Sequence, residues 1–381
     1  MTDQLLSLRS LKQGHWFKLI CGASFQHLPS VRSLSLAYTL AGADCIDVAA
    51  DPAIIAVAKE AIAIGMQLAR GDRLQRSPWL MVSLNDSEDP HFRKADFDPQ
   101  TCPPDCPRPC QAICPTNAIA FPSQLSASEP NTSGVLSDRC YGCGRCIPVC
   151  PLHYITARAY VSTPQAVMPL VFHMGIDAIE IHTHVGHLDD FRRLWRAIAP
   201  GIPRLKLVAI SCPDGDGLID YLRALYSVIS PLPCALVWQT DGRPMSGDIG
   251  AGATRAAIKL AQKVSAAQLP GFIQLAGGTN HSTVPKLREL GLLGSAVNEG
   301  APGQAAIAGV AYGSYARRLL APVIEQLEQQ PILPVYLENQ PQLLHQAVNL
   351  AAALVSQLKP TNTLPPWLND GQVQNLTTMM R

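Results

Sequence analysis

Charge is scarce in this chain. Asp, Glu, Lys and Arg make up 15% of it, against about a quarter in an ordinary soluble domain, and the formal net charge is only +1. No basic field exists to hold nucleic acid or an anionic membrane surface. Long apolar runs are missing as well. The longest, residues 53–69, is interrupted by Lys59 and Glu60, which excludes a membrane span there. Residues 1–16 show neither a long apolar region nor a cleavage site, so no secretion signal is expected and a cytoplasmic protein is. A disorder-promoting composition is absent too: hydrophobic residues make up 47%, as in a folded, core-rich chain. The 381 residues leave room for one large barrel-type domain and a small one.

What the chain does have is cysteine, twelve in all, eight of them between Cys102 and Cys150. Short, regular spacing of this kind suits a metal centre in a reducing compartment better than disulfides. The second run, Cys140, Cys143, Cys146 and Cys150 followed by Pro151, reads C-x2-C-x2-C-x3-C-P. That is the bacterial ferredoxin pattern, in which the fourth cysteine serves the other cluster. Gly142 and Gly144 let the backbone turn tightly and aim N–H groups at sulfide. The first run, Cys102, Cys106, Cys110 and Cys114, has three-residue gaps throughout but the same C-P ending. Both runs place an isoleucine five residues past the last cysteine, Ile119 and Ile155, which marks an internal repeat. Zinc also favours four-cysteine sites and stays the competing metal, more so for the atypical first run. Zinc ribbons, however, normally use two separated C-x2-C pairs.

The paired runs resemble a two-cluster ferredoxin. That resemblance implies two [4Fe–4S] clusters, one on Cys102, Cys106, Cys110 and Cys150, the other on Cys140, Cys143, Cys146 and Cys114. A [3Fe–4S] centre, or the loss of one cluster, would come from the first run.

Outside residues 98–156 the sequence alternates short β-rich runs with amphipathic helices. Eight strands are expected, at 17–21, 45–49, 80–84, 178–183, 205–211, 235–239, 272–276 and 306–311. Asp51-Pro52 and Thr163-Pro164 have the form of helix starts. Such alternation implies parallel strands, and eight units of this length predict a TIM-barrel-like (β/α)8 fold. A doubly wound open sheet is the competing arrangement. On the barrel reading, residues 1–97 and 157–335 form one discontinuous domain. Residues 98–156 are a ferredoxin-like α+β insert after the third strand, and 336–381 add a C-terminal helix, near 343–358, and a tail.

Alternation within the strands points to a polar barrel interior. Lys18, Asp47, Glu180 and Gln274 each stand between two apolar residues. Those neighbours need the helical layer, so the polar residue faces inward. His182 follows Glu180 on the same face, and Gln239 and Asp241 lie at the end of the sixth strand. Such a set reads either as a site or as a self-satisfied Lys–carboxylate network. Glycine-rich loops follow the last three strands, at 247–252, at Gly277-Gly278 and at Gly313. Barrel phosphate sites are commonly built after strands seven and eight. Lys18, Asp47, Glu180, His182, Gln274, Gly277, Gly278 and Gly313 are therefore the candidate residues for a phosphate-bearing ligand such as flavin mononucleotide. His182, His184 and His187, with Glu180, are either metal ligands or surface and capping histidines. Cys21, Cys45, Cys212 and Cys234 read as small buried hydrophobes. Cys21 and Cys212, near the expected mouth, are the two to consider for thiol redox chemistry.

Residues 17–27 (FKLICGASFQH), 41–50 (AGADCIDVAA), the PHFRK approach at 90–94 and the two cysteine runs resemble the cyanobacterial light-dependent period protein A family. The resemblance covers most of the chain. It implies an iron–sulfur redox sensor that passes light-dependent redox state to the circadian clock. It further implies clock-associated protein partners and a redox donor such as a quinone or a ferredoxin. It carries over the eight cysteines as cluster ligands and no catalytic residue. The reading from a different class is an oxidoreductase whose clusters feed a flavin or substrate in the barrel mouth.

Overall fold

A computed structural model describes residues 2–22, 27–69, 77–87, 91–114, 116–121, 134–136, 139–140, 145–161, 163–242, 250, 252–294, 307–330 and 335–359. Cys143, Gly142, Gly144, most of the 247–252 loop and the tail beyond 359 lie outside them.

Ten strands are present: β1 (Trp16–Ile20), β2 (Cys45–Ala49), β3 (Trp79–Asn85), β4 (His91–Asp96), β5 (Thr156–Val161), β6 (Ala178–His182), β7 (Leu207–Pro213), β8 (Ala235–Asp241), β9 (Phe272–Ala276) and β10 (Ile307–Tyr312). Eight of them close a parallel barrel in the order β1-β10-β9-β8-β7-β6-β3-β2. These are the eight strands expected from alternation, each within two residues at either end. The other two, β4 and β5, pair antiparallel outside the barrel, Asp96 opposite Thr156 and His91 opposite Val161. Their apolar/polar alternation is short and irregular, HFRKAD and TARAYV, which is why the sequence did not announce them. The chain from 97 to 155, with all eight clustered cysteines, runs between the two ends of this ribbon.

Two apolar layers hold the barrel. The outward side chains of the strands pack under the helices in one large core that includes Phe17, Leu19, Ile46, Val48, Ile179, Ile181 and Val310. A smaller core fills the barrel's N-terminal end with Trp16, Cys45, Trp79, Met81, Leu207, Ala209 and Val237. Leu8 and Leu11, from the helix Thr2–Gln13, plug it from below. Trp16 and Trp79 meet edge to face at 5.5 Å. Helix starts follow simple chemistry: Asp51 caps Pro52–Leu68 by accepting from Ala53 N at 2.7 Å, with proline at the first turn.

The helix Pro341–Val355 buries Ala347, Val348 and Ala351–Val355 against the large core. It is tied at both ends. Glu338, just before it, takes a two-pronged ion pair from Arg32 at 2.6 and 2.7 Å. Lys359, just after it, pairs with buried Asp44, which also accepts from Phe17 N at 2.7 Å.

One glycine is fixed by a close approach. A Cβ on Gly309 would lie 2.1 Å from the Trp16 carbonyl oxygen, a backbone atom that cannot step aside. The β9–β10 register shifts between Ile307 and Gly309, bringing β10 against β1. Gly309→Ala should therefore cost about 3 kcal/mol, at the upper end of overpacking penalties. Urea unfolding measures this, and a loss under about 1 kcal/mol would mean that the seam is looser than drawn.

Candidate functional site

The insert has its own small core. Phe97, Cys110, Ala118, Ile119, Phe121, Val135, Cys140, Cys146, Cys150 and Ile155 are buried together, with Cys102 and Cys114 packed against them. Ile119 and Ile155, the matched residues of the two C-P loops, occupy this same core. Phe97 and Phe121 meet at 6.0 Å, and Arg108 lies 3.9 Å over the Phe121 ring. Arg108 adopts a left-handed backbone, φ 53°. It sits in the three-residue gap between Cys106 and Cys110, where it turns the longer spacing back on itself.

The donor set suits thiolate ligation. Burial raises the Cys150 thiol, but the backbone N–H groups of Leu152, Tyr154, Ile155 and His153 outweigh it and hold the thiol below its ordinary range. In the first run Cys114 Sγ accepts from Ala118 N at 3.2 Å, the equivalent loop position. Backbone donors aimed at sulfur are what a cluster-bound cysteine needs. Burial, then the Cys106 thiol, push Cys102 up; burial, with the Cys150 and Cys106 charges, pushes Cys110 up. Cys150 and Cys110, from opposite runs, share the insert's core.

The barrel interior brings together four of the eight residues named for a phosphate-bearing ligand. Lys18, Asp47, Glu180 and Gln274 all point inward and are buried. Lys18 Nζ pairs with Glu180 Oε2 and stands 3.5 Å from both Asp47 Oδ2 and Met81 Sδ. Gln239 Nε2 donates to Glu180 Oε1 at 2.5 Å, Gln274 Nε2 to Gln239 Oε1 at 2.6 Å, and Trp16 Nε1 to Gln274 Oε1 at 2.6 Å. Ser83 donates to Asp47 Oδ1 at 2.7 Å and Ser211 to Asp241 Oδ2 at 2.5 Å. One chain of donors and acceptors therefore crosses the barrel from Trp16 to Asp47. Trp16, Ser83 and Ser211 escaped sequence reasoning, since Trp and Ser in a strand give no special signal.

The electrostatics follow from one cation between two carboxylates. Burial lowers Lys18, but Glu180 and Asp47 more than compensate and keep it charged. Burial raises Glu180, yet Lys18 and His182 bring it below its ordinary range. Asp47 is pushed up to about 6, by burial first and by the Glu180 charge, against the pull of Lys18.

The remaining candidates lie at the edge of this network or beyond it. His182 is 28% exposed, with Nε2 3.3 Å from Glu180 Oε1 at the network's upper edge. Gly277 and Gly278 take positive φ, 62° and 88°, in a loop pinned by Thr279 Oγ1 donating to Ala311 O at 2.7 Å and Thr254 Oγ1 to Gly278 O at 3.3 Å. Gly313 has φ −104° and ψ −99° at the cap of the helix Ser314–Glu328. His184 and His187 approach each other at 5.5 Å, and His187 Nδ1 lies 3.7 Å from buried Asp86. Among the described residues no three His, Cys, Asp or Glu side chains close on a single metal ion. Cys21 and Cys212 are both buried, which pushes each thiol up to about 12. Neither is a ready thiolate, which favours their reading as small buried hydrophobes.

Residues 102–161 match the family described as the LdpA Fe-S cluster-binding domain, and residues 170–357 the light dependent period A C-terminal domain. Over 366 residues the chain is 49% identical to light dependent period A of Synechococcus elongatus, covering 95% of this chain and 97% of that one. The chain belongs to the light dependent period A family. The family's cluster-binding region coincides with the ribbon-flanked insert, so this member is an iron–sulfur protein. The chain also aligns with a putative fructose-1,6-biphosphate aldolase of Coccidioides immitis, at TM-score 0.40 and 13% identity over 95% of each chain. Dihydrodipicolinate synthase of Oceanobacillus iheyensis aligns at TM-score 0.33 and 9% identity over 98% of each chain. Among the described residues no helix is long and apolar enough to cross a membrane.

Proposed function

We propose that this family member is an iron–sulfur redox sensor that conveys light-dependent redox state to the circadian clock. The observation that carries the reading is the insert itself: a small core in which four cysteines are buried and two more packed against it, joined to a large barrel through one two-stranded ribbon. Cys102, Cys106, Cys110 and Cys150 would hold one [4Fe–4S] cluster, and Cys140, Cys143, Cys146 and Cys114 the other. The clusters would supply one-electron chemistry. The protein's part is to bury the thiolates, fix them with backbone N–H groups and link the insert to a surface that clock-associated proteins read.

Metal–thiolate bonds contribute folding energy where the apolar core is small. Cluster loss should therefore loosen residues 98–156 and leave the barrel intact. Limited proteolysis of oxidised, reduced and cluster-depleted protein, prepared anaerobically and assayed for iron and sulfide, tests this. New cleavage confined to 98–156 in the depleted form, and altered rates there on reduction, are expected. Identical cleavage in all three states would count against a sensor.

The flavin-dependent reading has weaker support. Lys18, Asp47, Glu180, Gln239 and Gln274 use their polar atoms on one another, as a structural network does. No flavin absorbance is expected in purified protein.

A further inference from the structure

A cavity of about 380 Å³ lies where the insert meets the barrel's helical layer. One wall comes from the barrel side: Leu28 and Arg32, Ala56 and Val57, and the end of the helix Ser314–Glu328. The other comes from the insert: Thr116, Asn117, Arg139 and Arg145. The insert wall is the outer side of one cysteine shell. Arg139 and Arg145 immediately precede Cys140 and Cys146 in the chain. Thr116 Oγ1 lies 3.8 Å from Cys114 Sγ and donates to the Arg139 carbonyl at 2.9 Å.

The charges in this cavity are unevenly matched. Glu60 pairs with Arg32 at 3.1 Å, and Glu328 faces His27 at 3.6 Å, an imidazole that burial holds below its ordinary range. Arg32 is itself held by Glu338. No carboxylate lies within ion-pair distance of the Arg139 or Arg145 guanidinium among the described residues. Arg145 reaches far enough towards the barrel for its charge to be felt at His27. Two guanidinium groups with no ion-pair partner among the described residues therefore share a cavity with Glu60, Glu328 and the apolar side chains of Leu28, Val57, Ile324 and Leu327.

We propose that this cavity binds a small organic oxyanion, a phosphate or carboxylate on an apolar body, with Arg139 and Arg145 on the oxyanion and the barrel helices around the body. Guanidinium groups favour both oxyanions through paired N–H donors, and a pocket of this size suits a compound of modest mass. The part concerning binding stands on the cavity alone. A second part rests on the iron–sulfur reading above. Reduction adds a negative charge to a cluster held by the cysteines next to both arginines, so the oxyanion binds the oxidised form more tightly. By reciprocity the bound anion lowers the midpoint potential of that cluster. A tenfold preference for the oxidised form corresponds to about 59 mV for one electron.

Phenyl phosphate is the probe, with phenol and inorganic phosphate as half-probes, titrated calorimetrically into anaerobic, cluster-loaded protein. Phenyl phosphate should bind more tightly than either half. R139Q/R145Q should weaken it about tenfold or more, and Arg→Lys at both positions should restore part of the loss. A56W, at an exposed helix position in the wall, should block binding with both arginines in place. Failure of phenyl phosphate to bind, or equal binding by R139Q/R145Q or by A56W, overturns the site. A potentiometric titration with and without the probe then reads the linkage. A fall in one of two midpoints, lost in R139Q/R145Q, is expected, and unchanged midpoints with the probe bound overturn the linkage. Protein without iron and sulfide would defeat the sensor reading and the linkage together, and leave the binding test intact.

Discussion

Lys18→Met should destabilise the barrel by about 3–5 kcal/mol, the usual cost of removing one partner from a buried ion pair. Lys18 is the only cation touching both carboxylates in the described network, and nothing there can replace it. Adding Glu180→Gln to Lys18→Met should recover much of the loss, because the amide can still accept from Gln239 and no longer carries a charge. Urea unfolding of the single and double variants forms a double-mutant cycle. A single-variant cost under about 1 kcal/mol would mean that the carboxylates find other partners. The pH dependence has a definite sign. Asp47 is pushed up to about 6 in the folded protein, above the ~3.9 of an unfolded chain. Its contribution to stability is thus fully present below about pH 4 and lost as pH rises through 6. Wild-type protein should gain stability relative to Asp47→Asn as pH falls across that window, and a flat difference would place Asp47 outside the coupled set.

Cys150→Ala should remove about half of the iron and sulfide, and the cluster it removes should be the one lost in Cys102→Ala. Cys114→Ala should likewise share its lost signal with Cys140→Ala. The assignment rests on Cys150 and Cys110 sharing one core, on the backbone cradle of Cys150, and on the matched burial of Ile119 and Ile155. Electron paramagnetic resonance of the four variants, reduced under identical conditions, decides it. Cys150→Ala and Cys140→Ala losing the same signal would mean that each run closes its own cluster. Either ligand loss should open residues 98–156 to protease, since the buried side chains left in that core are few.

The barrel was legible because its strands obey two-residue alternation against a helical layer. Lys18, Asp47, Glu180 and Gln274 stood out because each interrupts an apolar strand. Gln239 was visible at a strand end, whereas Ser83, Ser211 and Trp16 were not, because their side chains do not clash with a buried strand. Whether the polar set was a site or a scaffold depended on which atoms met, and only side-chain geometry answers that. The cysteine runs were legible from spacing alone. The ribbon β4–β5 was not, since its alternation is short and irregular. The helix Thr2–Gln13 was missed as a plug because its mean hydropathy is low. The cavity beside the insert was invisible to any local reading: its walls come from segments far apart in the chain, and nothing about Arg139 or Arg145 in sequence shows that no described carboxylate meets them.

The ribbon has a consequence for how this chain was put together. Asp96 and Thr156 are paired across it, so the insert departs from the barrel and returns at the same point. To the barrel, 59 residues there differ from a tight turn mainly in loop-closure entropy. That quantity grows only logarithmically with length, by roughly 0.6 kcal/mol for each doubling. A cluster-bearing module can thus be acquired, enlarged or discarded at this hairpin with little thermodynamic penalty to the fold that carries it.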